Sequence, residues 1–159
     1  MIDAVDAKIL SIIQSNGRIS NAEIARQVDM APSAILERIR KLESRGVIQG
    51  YTAQLDPKAL DLGLLAFVFV RADERVGDEA AGRQLAAIPE ALEVHHVAGE
   101  DCYLVKVRAE SPEALGRILR ERFGAIPNVR TTRTTIVLSS VKESTELPVP
   151  EAVPAEAES

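Results

Sequence analysis

The chain has 159 residues and 17.2 kDa, enough for one medium domain or two small ones, and its 46% hydrophobic and 27% charged residues exclude a disordered protein. Taken as one number, the net charge of −5 argues against a polyanionic partner. Split along the chain it does not: residues 1–50 hold seven basic and six acidic side chains, residues 51–142 twelve and thirteen, and residues 143–159 none and five.

Residues 1–50 predict three short helices. Asp3 is a good N-cap, and Val5, Ile9, Ile12 and Ile13 recur at helical spacing until Asn16-Gly17. The start, MIDAVDAKIL, is acidic where a signal peptide is basic, so a cytoplasmic protein is expected. Ser20 or Asn21 caps a second helix, Ala22 to Val28, burying Ile24, Ala25 and Val28. After Asp29-Met30-Ala31 a third helix starts at Pro32, commits Ile35, Ile39 and Leu42 to packing, and stops near Arg45 at Gly46.

Residues 51–63 are expected to be an extended strand and linker. Leu64–Val70 follows as a strand; its seven residues are the longest apolar run, far short of a membrane span. A helix with Ala81, Leu85 and Ile88 inward ends at Pro89, and Val94–Ala98 pairs with Tyr103–Arg108 about Gly99-Glu100-Asp101. Ser111 and Pro112 open a helix burying Leu115, Ile118, Leu119 and Phe123, and Val129–Leu138 is a last strand. Both helices are followed by the same tripeptide, Ala87-Ile88-Pro89 and Ala125-Ile126-Pro127. The order βαββαβ predicts a ferredoxin-like antiparallel sheet over residues 64–142, with helices on one face and self-association covering the other. Residues 143–159, with three prolines and five glutamates, are expected to be a disordered acidic tail.

Two short helices joined by a three-residue turn suit a helix-turn-helix, which places the second helix in the DNA major groove. Ala34, Glu37, Arg38, Lys41 and Arg45 line up away from the apolar stripe. Arg38 is suited to a guanine edge and Glu37 to a cytosine amino group. Ser33 and the first-turn amides suit a phosphate or base edge, and Lys41 and Arg45 suit phosphate. The competing reading is a charged, solvated helix face. The candidate DNA-binding residues are Asn21, Pro32, Ser33, Ala34, Glu37, Arg38, Lys41 and Arg45. The near-neutral local charge predicts reliance on a dimer or larger assembly, with half-sites about one helical turn apart.

The stretch IDAVDAKIL…GRISNAEIARQVDMAPSAILERIRKLESRGVIQGYTAQLDP resembles the N-terminal helix-turn-helix of the Lrp/AsnC (feast/famine) regulators, and the βαββαβ unit resembles that family's effector-binding and oligomerisation domain. The resemblance spans Ile2 to Lys142 and implies a winged helix-turn-helix, a sequence-specific transcription regulator rather than an enzyme, double-stranded DNA as partner, a homo-oligomer from dimer to octamer, and an amino acid effector with no other cofactor. Ala31 stands where the family commonly has a serine N-cap, which weakens the start of the third helix by about 1 kcal/mol. Gly99-Glu100-Asp101-Cys102-Tyr103 matches the family's effector loop at Gly99, Glu100 and Tyr103 and departs at Asp101 and Cys102. Thr132-Arg133-Thr134 matches a strand whose hydroxyls point to that pocket. The resemblance thus implies an effector site at Gly99, Glu100, Asp101, Cys102, Tyr103, Thr132 and Thr134, chemically suited to a carboxylate and an ammonium. The plainer alternative is a glycine turn and two strand threonines.

Cys102 with His95 and His96 raises metal binding or nucleophilic catalysis. Adjacent strand histidines face opposite ways, and Glu100 and Asp101 oppose a thiolate, so neither a metal nor a catalytic residue is expected. An enzymatic ferredoxin-like domain lacks a catalytic constellation and a phosphate-cradling loop here. RNA binding through Phe67 and Phe69 lacks aromatics on the third strand beyond Tyr103.

Overall fold

The computed structural model describes residues 2–75 and 77–150. The chain divides into two compact units, Met1–Gln54 with Glu143–Ser159, and Leu55–Lys142.

The first unit is built on α1 (Ala4–Ser15), α2 (Asn21–Val28) and α3 (Pro32–Ser44), each bounded as the local chemistry requires. The Asp3 carboxylate accepts from the Asp6 N–H at 2.8 Å and the Ser20 hydroxyl from the Glu23 N–H at 3.1 Å, so α1 and α2 carry side-chain N-caps. Asp29, with φ of 55°, turns the chain from α2 towards α3. At Ala31 no side-chain cap forms, and the helix starts on the preset φ of Pro32 alone. Gly46, at φ +69°, closes α3: its N–H donates to Glu43 and that of Val47 to Leu42, both at 2.9 Å, the paired bonds of a Schellman motif. Ile9, Ile24, Ala25, Ile35, Ile39 and Leu42 form the core, each large side chain contributing about 1.5–3 kcal/mol by leaving water.

After α3 no strand forms before residue 64, where a strand and linker were expected, because the segment finds no neighbouring ladder. Tyr51 is held instead by its hydroxyl, which donates to Glu43 at 3.1 Å.

The second unit consists of β1 (Leu64–Ala72), α4 (Ala80–Ala86), β2 (Ala91–His96), β3 (Tyr103–Ala109), α5 (Pro112–Ile118) and β4 (Val129–Ile136). Its sheet has the order β2-β3-β1-β4, antiparallel throughout, as a split βαβ arrangement demands. Ala66, Val68 and Val70 of β1 and Tyr103, Val105 and Val107 of β3 pack with Leu85, Leu115 and Phe123. The repeated Ala-Ile-Pro tripeptides place Ile88 and Ile126 into this core after their helices. The expected single helix to Phe123 is broken: Leu119–Phe123 is a π-helical turn, in which the Gly124 N–H donates to Leu119.

The described part of the C-terminal stretch, 143–150, has no regular secondary structure but is not purely solvated, because Leu147 bonds to Gln14 of α1. Residues 151–159, the rest of the expected disordered tail, lie outside the described residues.

Candidate nucleic-acid interface and ligand loop

At 3.6 residues per turn, the buried Ile35, Ile39 and Leu42 put Ser33, Glu37, Arg40 and Ser44 on the far side of α3. All four are exposed, as are Pro32, Lys41 and Arg45. Arg38 is half-buried at the edge of that outward face, yet it lines one cleft together with Glu37 and Lys41, as their spacing predicts. It stands on the flank with Ala34, and its Nη1 donates to Asp3 Oδ2 and Asp6 Oδ1, both at 2.7 Å. A flank position brings the guanidinium against the acidic start of α1, where Asp6 is buried and needs a cation. The backbone N–H of Asp6, followed by Arg38, holds the Asp3 carboxyl below its usual range; Asp3 and then Asp6 hold the Arg38 guanidinium above its own.

These residues border an open cleft of about 500 Å³, whose walls include Asp3, Asp6, Ala34, Glu37, Arg38, Lys41 and Arg45. Asn21 is elsewhere, in a smaller depression of about 240 Å³ with Leu36, Arg40, Glu43 and Tyr51. The structure therefore brings Ala34, Glu37, Arg38, Lys41 and Arg45 of α3 to one cleft, leaves Pro32 and Ser33 exposed at the start of α3, and places Asn21 apart on α2. Lys41 pairs with Glu37 at 2.9 Å, both about two-thirds exposed (68% and 69%), and Lys41 holds the Glu37 carboxyl below its usual range. So exposed a pair contributes little and can be exchanged for phosphate. Arg40 is a further exposed cation on this side, beyond the residues the sequence singles out. Counting 100° per residue from the apolar stripe would have found it.

In the second unit the ladder sorts the ligand-loop residues by face. Tyr103 stands opposite Val70, and Val70 opposite Thr132; Thr134 stands opposite Val68. All three lie on the helix-bearing face, but β1 separates Tyr103 from the threonines by two strand spacings, about 10 Å. Tyr103 is buried, its ring 5.1 Å from that of His96, and its hydroxyl donates to Glu74 Oε2 at 2.7 Å. Burial, and then Glu74, push its pKa up to about 12. Gly82 permits this packing, since a Cβ there would lie 2.6 Å from Tyr103 Cε1.

On the opposite face Arg133 stands beside Phe69, its guanidinium 4.0 Å from the ring centroid, and pairs with Asp101 at 3.0 Å. The Cys102 thiol donates to the Ala72 carbonyl at 3.3 Å. Gly99, at φ +133°, and Glu100 are exposed in the turn. The departure Asp101 is thus tied to Arg133 of the Thr-Arg-Thr strand, while Thr132 and Thr134 look to the other side. Among the described residues no group of three or more His, Cys, Asp or Glu could hold a metal ion.

A helix-turn-helix with an exposed polar face on its second helix, in one chain with a split βαβ sheet unit, is the architecture of a DNA-binding transcription regulator. The family described as winged helix-turn-helix DNA-binding matches residues 2–49, and the Lrp/AsnC ligand binding domain matches residues 65–147. The chain belongs to the Lrp/AsnC family. It is 41% identical over 148 residues to the HTH-type transcriptional regulator FL11 of Pyrococcus horikoshii, covering 93% of this chain and 97% of that protein. To the leucine-responsive regulatory protein of Escherichia coli K12 it is 39% identical over 148 residues, covering 92% and 90%. The solved complex of transcriptional regulator NMB0573 of Neisseria meningitidis with L-Met matches with a TM-score of 0.87 at 30% identity, over 93% of this chain and 97% of that one.

Proposed function

We propose that this regulator reads duplex DNA through the outward face of α3 and acts by binding, not by catalysis. The observation that carries the reading is the exposure of Ser33, Glu37, Arg40 and Lys41 on a helix whose other side is fixed by Ile35, Ile39 and Leu42. Ser33 and Pro32 at the helix start contact backbone or base edge, Glu37 accepts from a cytosine amino group, and Arg40 and Lys41 meet guanine or phosphate. Asn21 supports the Arg40 side and Arg45 the Lys41 side. Arg38 acts through Asp3 and Asp6, setting the helix rather than reading a base. The test is titration of a labelled duplex carrying a selected operator against a random duplex. Specific binding that falls steeply with salt is expected; equal affinity for both duplexes would defeat sequence reading.

An amino acid is the proposed effector, as for the NMB0573 relative crystallised with L-Met. The proposed contacts are Gly99–Tyr103, Thr132 and Thr134, drawn from both faces of the sheet, with Arg133 added on the Asp101 side. A homo-oligomer is proposed, a dimer through the face bearing Phe67, Phe69 and Leu104, all half-buried in the single chain, and an octamer above it. The cytoplasm is the proposed location; among the described residues no helix is long and apolar enough to cross a membrane. A thermal-shift screen against the twenty amino acids tests the effector, since a ligand of the folded state raises its melting temperature. No shift with any of them would remove the amino acid. Sedimentation of Phe67→Glu tests the interface, where loss of assembly is expected and an unchanged oligomer would exclude that face.

A further inference from the structure

The helix-turn-helix unit includes residues from beyond the sheet unit, and a side chain of α1 holds them at Leu147. The Gln14 amide carries the donor and acceptor of a peptide group. Its Nε2 donates to the Leu147 carbonyl at 3.0 Å, and the Leu147 N–H donates to its Oε1 at 2.8 Å. One side chain thus makes the reciprocal pair that a neighbouring strand residue would make. It grips backbone, and the Leu147 side chain itself stays exposed. The Ser144 hydroxyl accepts from the Glu146 N–H at 3.1 Å and bends the segment just before the grip, while Val149 just after it is half-buried.

The consequence is electrostatic. Residues 1–54 carry seven Lys and Arg against six Asp and Glu, and residues 143–159 carry five Glu and no basic side chain. Holding the described part, residues 143–150, at α1 brings Glu143 and Glu146 to a unit of formal charge +1 and makes it −1, and three further Glu follow in the sequence. A duplex is a dense polyanion, and sequence-independent binding rests on the charge it meets. Two solvent-exposed hydrogen bonds make a weak, reversible hold, which a duplex making base contacts in addition can overcome.

We propose that the C-terminal acidic segment, docked on Gln14, is a built-in attenuator that lowers binding to non-specific DNA more than binding to an operator. This rests on the DNA-binding reading of α3. The test uses the full chain and two variants, Gln14→Ala and one with Glu143, Glu146, Glu151, Glu156 and Glu158 all replaced by Gln. Anisotropy on a labelled random-sequence duplex at low salt is expected to show tighter binding by the five-fold Glu→Gln variant, on the order of threefold or more, and a partial gain for Gln14→Ala with every charge in place. Both gains should shrink in high salt as the charges are screened. Without DNA, hydrogen exchange at the Leu147 amide is expected to be slowed in the parent chain and to accelerate in Gln14→Ala. Unchanged random-duplex affinity in the Glu→Gln variant would overturn the attenuation, and a Leu147 amide exchanging equally fast in both chains would overturn the docking. If neither parent nor variants bind any duplex, the reading of α3 fails and attenuation with it, and Leu147 exchange still decides the docking.

Discussion

Arg38 of α3 and Asp6 of α1 meet at 2.7 Å across the first unit, and Asp6 is the one charged residue classed as buried among the described residues. Removing either partner strands the other charge in a poor solvent. Arg38 keeps 29% of its side chain exposed, so the cost lies between that of a surface pair and a fully buried one. Asp6→Ala and Arg38→Ala are each expected to destabilise the unit by about 1–3 kcal/mol in urea unfolding. The double variant should cost less than the sum, with a coupling of about 1 kcal/mol. Strict additivity would show that the contact contributes nothing.

Arg40 and Arg38 separate DNA contact from helix placement. Arg40→Ala, and equally Lys41→Ala, should leave stability within about 0.5 kcal/mol of the parent. Each should weaken duplex binding and reduce the salt slope by about 1. Arg38→Ala should lose affinity together with stability. Arg40→Ala binding as tightly as the parent, with an unchanged slope, would remove the outward face of α3 from the interface.

The helix-turn-helix was legible because its signals are local. Asp3, Ser20, Pro32 and Gly46 act within four residues of themselves, and the apolar spacing fixes which stripe of α3 is buried. Arg38 was not legible in that way, since its partners lie 32 and 35 residues earlier and only the packed angle of α1 on α3 brings them near. Arg40, by contrast, is legible from helical geometry, since it lies opposite the apolar stripe. On the sheet, the order of strands followed from the βαββαβ pattern. The side taken by Tyr103 was also encoded: it alternates in step with Val105 and Val107, while Lys106 and Arg108 fall on the other face. That alternation predicts a buried tyrosine beneath the helices. The hold of Gln14 on Leu147 leaves no trace in sequence, because it reads backbone at a separation of 133 residues.

Asp3 has two functions that substitution can divide. It caps α1 through the Asp6 N–H and pairs with Arg38. Because its carboxyl is held below the usual range, it binds fewer protons folded than unfolded. Its contribution is therefore complete above the unfolded pKa near 3.8 and is lost as pH falls through the lower folded value. Asp3→Asn keeps a capping oxygen and removes the charge, so it should flatten this acid limb by lowering the pH 7 plateau by the amount the ionised Asp3 contributed, while sparing the cap. Asp3→Ala should lose about 1 kcal/mol at pH 7 as well, through the cap. Circular-dichroism unfolding between pH 2 and pH 7 distinguishes the two, and an acid limb of undiminished slope in Asp3→Asn would assign the pH response to other carboxylates.

Tyr103 predicts the opposite, alkaline behaviour in the sheet unit. Buried against His96 and donating to Glu74, it keeps its proton to about pH 12, whereas an unperturbed tyrosine loses it near 10. Between those values the folded chain holds a proton that the unfolded chain has released, so stability is whole below pH 10 and falls as pH rises through 12. Tyr103→Phe removes that dependence. It also leaves Glu74 without its hydroxyl donor, although Glu74 Oε1 still accepts from the Ala81 N–H at the start of α4. The phenolate absorbance of the parent chain should therefore include a rise near pH 12 that vanishes in Tyr103→Phe. Tyr51 is also raised, by burial and then by Glu43, and Tyr51→Phe identifies the remaining rise. A tyrosine ionising near pH 10 in Tyr51→Phe, with the fold intact by circular dichroism, would show that the Tyr103 hydroxyl is open to solvent and free for the ligand loop.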